Sequence, residues 1–280
     1  MGENPWNEKM KKTVTVKDVK FGEGHPLALI AGPCVIESRE GCLAIAEQMV
    51  KTAKMLNIPY VFKASYDKAN RTSIHSFRGP GITKGLEILA EIKETFNVPV
   101  LTDVHTIEEI KIAAEVVDII QLPAFLIRQT DFVVAAGESG AVVNVKKAQF
   151  VAPWDMKNVV KKIEETGNQN ILLTERGVSF GYNTLVADMR SLIIMRELGY
   201  PVIFDATHSV QSPGGQGDSS GGDGRFAPYL ARAAAAVGVD GMFIETHPDP
   251  ANALSDGPNM IPLEQMPSLW RKLDAIDKIK

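Results

Sequence analysis

The chain has 280 residues, 45% of them hydrophobic and 23% charged, with a formal net charge of −4. This is ordinary globular composition, and it gives no reason to expect nucleic acid or an anionic membrane as a partner, although a local basic pocket is still compatible with it. Only two cysteines occur, Cys34 and Cys42, which suggests no disulfide framework and fits a reducing compartment. The opening MGENPWNEKMKK lacks the apolar core of a signal peptide, Trp6 stands where a myristoylation signal wants Ser or Thr, and no apolar run approaches the roughly 18 residues of a membrane span. A soluble cytoplasmic protein is expected.

In chain order, TVTVKDVKFGEG alternates like a small hairpin, and it defines an N-terminal segment, 1–26, ahead of the main domain, 27–280. Eight short, β-branched runs follow: LALIAGPC, YVFKASYD, VPVLTDVH, VVDIIQLP, AVVNVKKAQF, NILLTERG, PVIFDATHS and VDGMFIETHP. Segments of helical periodicity lie between them. CLAIAEQMVKTAKML has Ser38 as its expected N-cap, and Thr106 to Glu109 reads as a capping box. GLEILAEIKETF, LVADMRSLIIMREL, APYLARAAAAVG and MPSLWRKLDAIDKI have the same character. Eight strand–helix units of this size predict a (β/α)₈ barrel preceded by a short hairpin, with an open doubly wound sheet as the competing arrangement. The Gly/Ser-rich stretch from Ser209 to Arg225 is too long for a simple connection and reads as a mobile lid after the seventh strand.

Active sites of such barrels lie at the C-terminal strand ends. Here each run finishes in chemistry: Cys34, Lys63, Asp103 with His105, Gln121, Lys146 with Lys147, Glu175 with Arg176, Asp205 with His208, and Glu245 with His247. Closure makes the eighth strand a neighbour of both the first and the seventh, which brings Cys34, Glu245 and His208 to adjacent ends, with Asp256 able to fold over them. Cys, His, Glu and Asp are competent ligands for a divalent transition metal. By spacing alone, Cys34 also suits packing, His208 suits a structural or catalytic role, and His105 and His247 are alternative ligands. A second constellation of Lys63, Lys68, Arg71, Arg78, Lys146, Lys147 and Arg176 suggests an anionic, phosphorylated ligand. Cys42 reads as helix packing, and Asp205 as either an orienting group or a turn cap. No GxGxxG or P-loop motif appears.

The stretches IAGPCVIES, FKASYDKANRTSIHSFRGPG, QLPAFLIRQTD, VNVKKAQFVAPWDMKNV, TERGVSFGYN, FDATHSVQ and ETHPDPANALSDGP together resemble the 3-deoxy-D-manno-octulosonate 8-phosphate synthase family over nearly the whole chain from Leu27. The resemblance implies a (β/α)₈ homotetramer that condenses phosphoenolpyruvate with arabinose 5-phosphate and water for lipopolysaccharide synthesis. Cys34, where the metal-independent branch has Asn, resembles the metal-dependent branch. This implies one divalent ion (zinc, iron, manganese or cobalt) on Cys34, His208, Glu245 and Asp256. The same resemblance places Lys63, Lys68, Gln121, Lys146 and Arg176 around phosphoenolpyruvate, and Asn70, Arg71 and Thr72 around the sugar phosphate. It implies that Arg128 reaches a neighbouring subunit's site and that the 209–225 loop closes over the pentose phosphate. Lys68 and Lys146 are expected to offset charge and move protons, with His208 and Asp256 beside the reacting aldehyde or water. KANRTS favours a pentose phosphate over the erythrose 4-phosphate used by the related heptulosonate synthases, whose signature resembles KPRTS.

Overall fold

Eight parallel strands among the described residues close into a barrel: Ala28–Gly32, Tyr60–Lys63, Val100–Asp103, Ile119–Leu122, Val142–Lys146, Ile171–Glu175, Val202–Asp205 and Gly241–His247. Each pairs with its neighbours in chain order. The ring is sealed by Ile203 opposite Gly241 and by the run from Gly241 opposite Ala28 to Glu245 opposite Gly32. The open sheet is thereby ruled out. The computed structural model describes residues 12–214 and 221–279, so the first eleven residues of the opening segment and the centre of the Gly/Ser-rich loop lie outside the described residues.

The helices are α1 (Arg39–Leu56), α2 (Ile82–Phe96), α3 (Ile107–Ala114), α4 (Thr130–Glu138), α5 (Met156–Glu164), α6 (Arg190–Arg196), α7 (Ala227–Val237) and α8 (Met266–Asp277). Ser38 caps α1 as its sequence predicts, accepting from the Gly41 N–H at 3.1 Å. Thr106 likewise caps α3, but the reciprocal half of the capping box differs. Glu109 accepts from the His105 backbone N–H at 2.7 Å and from the His105 ring, one residue earlier than the usual pattern. The helix read into LVADMRSLIIMREL is shorter than its periodicity suggests. Leu185–Val186 instead pairs antiparallel with Val178–Ser179, and Asp188 caps the Arg190 N–H at 3.0 Å, so helix begins only at Arg190. The 209–225 stretch has an ordered root, where Gln211–Ser212 pairs with Gly221–Gly222.

Side-chain alternation divides the core in two. Outward residues such as Leu29, Phe62, Val145, Leu173 and Phe204 join the helices in one large cluster. Inward residues Ala28, Ile30, Val61, Leu101, Ile119, Leu172, Ile203 and Phe243 join Val14, Val16, Val19 and Phe21 in the other. Those last four are the buried face of the hairpin Val14–Val16/Val19–Phe21, while Thr15 and Lys20 between them face solvent. The hairpin therefore plugs the N-terminal mouth of the barrel and leaves the other mouth to carry chemistry.

Phe21 is fully buried in this plug. Replacing it with Ala should lower the unfolding free energy by about 3–5 kcal/mol, the usual loss for a large aromatic core deletion. Denaturant unfolding of the variant checks this, and an unchanged midpoint would mean the plug adds nothing to barrel stability.

Candidate active site

Two residues beyond the apolar inward layer, the inward positions become polar: Val61 gives way to Lys63, Leu101 to Asp103, Ile119 to Gln121, Ile203 to Asp205 and Phe243 to Glu245. Lys146 and Arg176 rise to the same mouth. They line a cavity of about 440 Å³ together with Lys68, Asn70, Arg71, Thr72, His105, Gln149, His208, Gln211 and Asp256.

Buried charge needs a partner. Lys63 has several: it meets Glu245 in a close ion pair and donates to the Cys34 carbonyl at 2.8 Å. Lys68 reaches the same Glu245 oxygen at 4.0 Å. Burial alone would raise the Glu245 pKa, but His208, Lys63 and Lys68 outweigh it and hold the carboxyl well below the ordinary range. Lys146 pairs closely with Asp205 and sits 3.9 Å from the Phe243 ring centroid. Burial lowers the Lys146 pKa despite the opposing pull of Asp205. Asp205 also accepts from the His208 backbone N–H at 2.9 Å and lies 2.8 Å from its Nδ1, so both of its sequence readings, turn cap and orienting group, are realised.

The expected metal ligands converge. Cys34 Sγ and carboxylate oxygens of Glu245 and Asp256 lie within 4.8 Å of one another. His208 Nε2 joins at 3.5 Å from Glu245 and 3.9 Å from Asp256. Asp256 adopts a left-handed backbone with φ 51° and accepts from Gln211 Nε2 at 3.2 Å. The Cys34 thiol, raised by burial and by Glu245, contacts Ser255 Oγ at 3.1 Å and Asp256 Oδ2 at 3.4 Å. A cysteine sulfur and two carboxylates, with an imidazole beside the carboxylates, are donors that fit a divalent transition metal.

The alternative ligands lie apart from this cluster. His247 faces Glu37 at 3.7 Å. His105 stands between Asp103, 3.3 Å from Nε2, and Glu109, 3.1 Å from Nδ1, with Tyr66 donating to the same Glu109 oxygen. Burial opposes the His105 charge, but the Asp103 hydrogen bond and both carboxylates overcome it and raise the ring above its ordinary pKa.

Arg71 donates to Ser255 Oγ at 2.9 Å and to the Leu254 carbonyl at 3.0 Å, which fastens the KANRTS segment to the Asp256 turn. Arg128 is exposed and does not line the cavity of its own chain. Arg78 is held by Asp67, Lys147 is buried outside the barrel wall, and Cys42 packs within α1. Sequence reasoning missed Gln149 and Gln211. The signal available for Gln149 was its position three residues past Lys146. Arg176 Nη1 and Gln149 Oε1 are buried without a hydrogen-bond partner, whereas Arg176 Nη2 donates to Gln211 at 2.6 Å.

The arrangement is that of a barrel enzyme whose mouth is lined by lysine and arginine beside a cluster of metal-competent donors. The chain belongs to the DAHP synthetase I family, whose profile matches residues 7–279. It is 60% identical to the 2-dehydro-3-deoxyphosphooctonate aldolase of Geotalea uraniireducens over 270 residues, 96% of this chain and 99% of that protein. It is 62% identical to the protein of the same name from Granulibacter bethesdensis over 266 residues, 95% of this chain and 94% of that one. That name is a synonym of 3-deoxy-D-manno-octulosonate 8-phosphate synthase, the family its motifs resemble.

Two outcomes are expected. Lys63→Met removes the closest partner of buried Glu245, leaving only the more distant Lys68 and His208, and should destabilise the fold by up to about 3–5 kcal/mol in denaturant unfolding at neutral pH. Glu109→Gln should move the His105 titration, followed by imidazole NMR, to lower pH. A histidine raised in the folded state adds stability that is full below its ordinary pKa of 6.5 and lost as pH rises through the folded value, so the variant should lose that increment earlier on the alkaline side. A titration that does not move would detach Glu109 from the ring.

Proposed function

We propose that this chain condenses phosphoenolpyruvate with D-arabinose 5-phosphate and water to give 3-deoxy-D-manno-octulosonate 8-phosphate and inorganic phosphate, the step that supplies this sugar acid for lipopolysaccharide. The observation that carries the proposal is a single mouth lined by two sets of basic and polar residues, which we read as two anion seats. Lys68, Lys146 and Arg176 line its interior, and Asn70, Arg71 and Thr72 of KANRTS lie on the same cavity. The family takes its name from the heptulosonate enzymes, but the relatives cited above carry the octonate name, and KANRTS agrees with them.

Phosphoenolpyruvate presents a phosphate and a carboxylate, and the unpartnered Arg176 Nη1 offers a donor that no protein group uses. Lys146 and Lys68 supply further charge, with the Gln121 side chain beside them. Lys63 acts from the floor, because its ammonium is already bound to Glu245 and the Cys34 carbonyl. As C3 attacks the aldehyde, an alkoxide forms and positive charge at C2 is relieved by water. Lys146, with its lowered pKa beside Asp205 and His208, is placed to move a proton. A divalent ion held by Cys34, His208, Glu245 and Asp256 would supply Lewis-acid orientation of the aldehyde or the water. A metal-free branch of the family makes positioning the more economical role. Among the described residues, no helix is long and apolar enough to cross a membrane, and both cysteines are free, which is in keeping with a cytoplasmic setting.

A homotetramer is the assembly the family resemblance implies, and the exposed aromatics Phe150, Trp154, Phe180 and Tyr182 on consecutive loops offer apolar surface for contact between copies. Arg128, unused in its own cavity, is then free to serve a neighbouring site.

The test is phosphate release from phosphoenolpyruvate with arabinose 5-phosphate or erythrose 4-phosphate, before and after chelation and metal restoration. Turnover is expected with the pentose phosphate, much less with the tetrose, and it should be lost on chelation and restored by a divalent ion. Preference for the tetrose would make this a heptulosonate synthase. Turnover untouched by an effective chelator would return Cys34 to a packing role.

A further inference from the structure

Lys147 and Glu175 are fully buried charges that the chemistry above does not use. Both follow the outward set of their strands, Val143 and Val145 for one, Leu173 for the other, so they lie between the barrel wall and the helices. Their neighbours Lys146 and Arg176 point the other way, into the cavity. Strand pairing sets Lys146 opposite Thr174, and the ladder continues with the Lys147 N–H donating to the Thr174 carbonyl at 2.8 Å. Behind this junction, Lys147 Nζ lies 3.5 Å from Glu175 Oε2 and donates to the carbonyls of Ala148 at 3.4 Å and Val151 at 3.3 Å. Glu175 Oε1 accepts from the backbone N–H groups of Arg176 at 3.0 Å and Gly177 at 2.6 Å, and Oε2 accepts from Ser191 Oγ at 2.7 Å. One ion pair thus fastens the backbone on both sides of the gap that Lys146, Gln149 and Arg176 line.

We infer that Lys147 and Glu175 are positioning residues which fix the separation of Lys146 and Arg176, and so set the grip on the anionic substrate from outside the barrel. Neither residue of the pair lines the cavity, and the pair acts through the two loop backbones. The inference rests on the proposed reaction only for the identity of the anion, phosphoenolpyruvate.

The discriminating experiment compares Lys147→Met and Ser191→Ala with the wild type. Lys147→Met leaves Glu175 its two backbone donors and the Ser191 hydroxyl, and Ser191→Ala removes a single bond at the far side. Phosphoenolpyruvate binding is measured directly without aldehyde, and KM for each substrate is measured well below the unfolding temperature. For Lys147→Met, phosphoenolpyruvate binding should weaken about 10- to 100-fold, as expected when supporting groups let a binding geometry drift by around an ångström. KM for the sugar phosphate should change less than about twofold, because KANRTS hangs from other strands. Ser191→Ala should shift binding in the same direction by a smaller factor, and it decides the matter if Lys147→Met does not fold. Wild-type binding in the folded variants, with only a lowered Tm, would reduce the pair to scaffold and overturn the inference. The binding comparison stands even if the wild type turns over neither aldehyde, so the two readings fail separately.

Discussion

A closed eight-stranded barrel has room inside for side chains and almost none for water, and this constraint governs the rest of the molecule. Each strand commits every second residue to the interior. The first inward layer is apolar and is sealed by the hairpin residues Val14, Val16, Val19 and Phe21. The next is charged. Because the lower mouth is plugged with hydrocarbon, a charge at the upper layer has only the cavity and its neighbours for solvation. Lys63 with Glu245 and Lys146 with Asp205 are consequences of that confinement as much as parts of a site. Phe243 links the two layers, lying in the apolar cluster while its ring meets the Lys146 ammonium.

The pairing is incomplete in an informative way. A buried polar atom without a partner costs about 1–3 kcal/mol, so a fold retains one only where something else compensates. Arg176 Nη1 and Gln149 Oε1 are such atoms, on the wall of the same cavity. Lys63 and Lys146 each meet a carboxylate closely, whereas the Arg176 edge has no protein partner. A site that bound its substrate with charges already fully satisfied would have to break ion pairs first. Here Lys63 and Lys146 are paired, while Arg176 Nη1 and, on the same cavity, Arg71 Nε are cationic donors without a partner.

Much of this was legible in the sequence, because period-two alternation and punctual polar strand ends are local signals. The eight runs, the Ser38 cap and the adjacency of Cys34, His208 and Glu245 all follow from chain order plus closure. Other features depended on contacts between distant segments. Nothing local in LVADM opposes helix, and only pairing with Val178–Ser179 turns Leu185–Val186 into strand. His105 and His247 were equal candidates to His208 by spacing, and they are separated only by which carboxylate each meets: Asp103 and Glu109 for one, Glu37 for the other. Lys146 and Lys147 are identical residues, and the direction of alternation gives one to the cavity and the other to the wall behind it.

Cys34 shows how a local turn and a distant strand divide one task. Gly32 comes so close to the second strand that an added Cβ would lie 2.0 Å from the Lys63 carbonyl oxygen, so a side chain there would force the first two strand ends apart. With the strands in contact, the backbone carbonyls of Pro33 and Cys34 turn toward the Lys63 ammonium, at 3.4 and 2.8 Å. That ammonium holds Glu245, and Glu245 in turn stands beside Cys34 Sγ and Asp256. The AGPC turn therefore contributes twice to the same cluster. Its carbonyls anchor the cation that keeps one carboxylate ionised, and its thiol faces that carboxylate from the other side. A cysteine placed only for packing would explain the burial of the thiol, but not the convergence of two carboxylates and an imidazole on the place where it points.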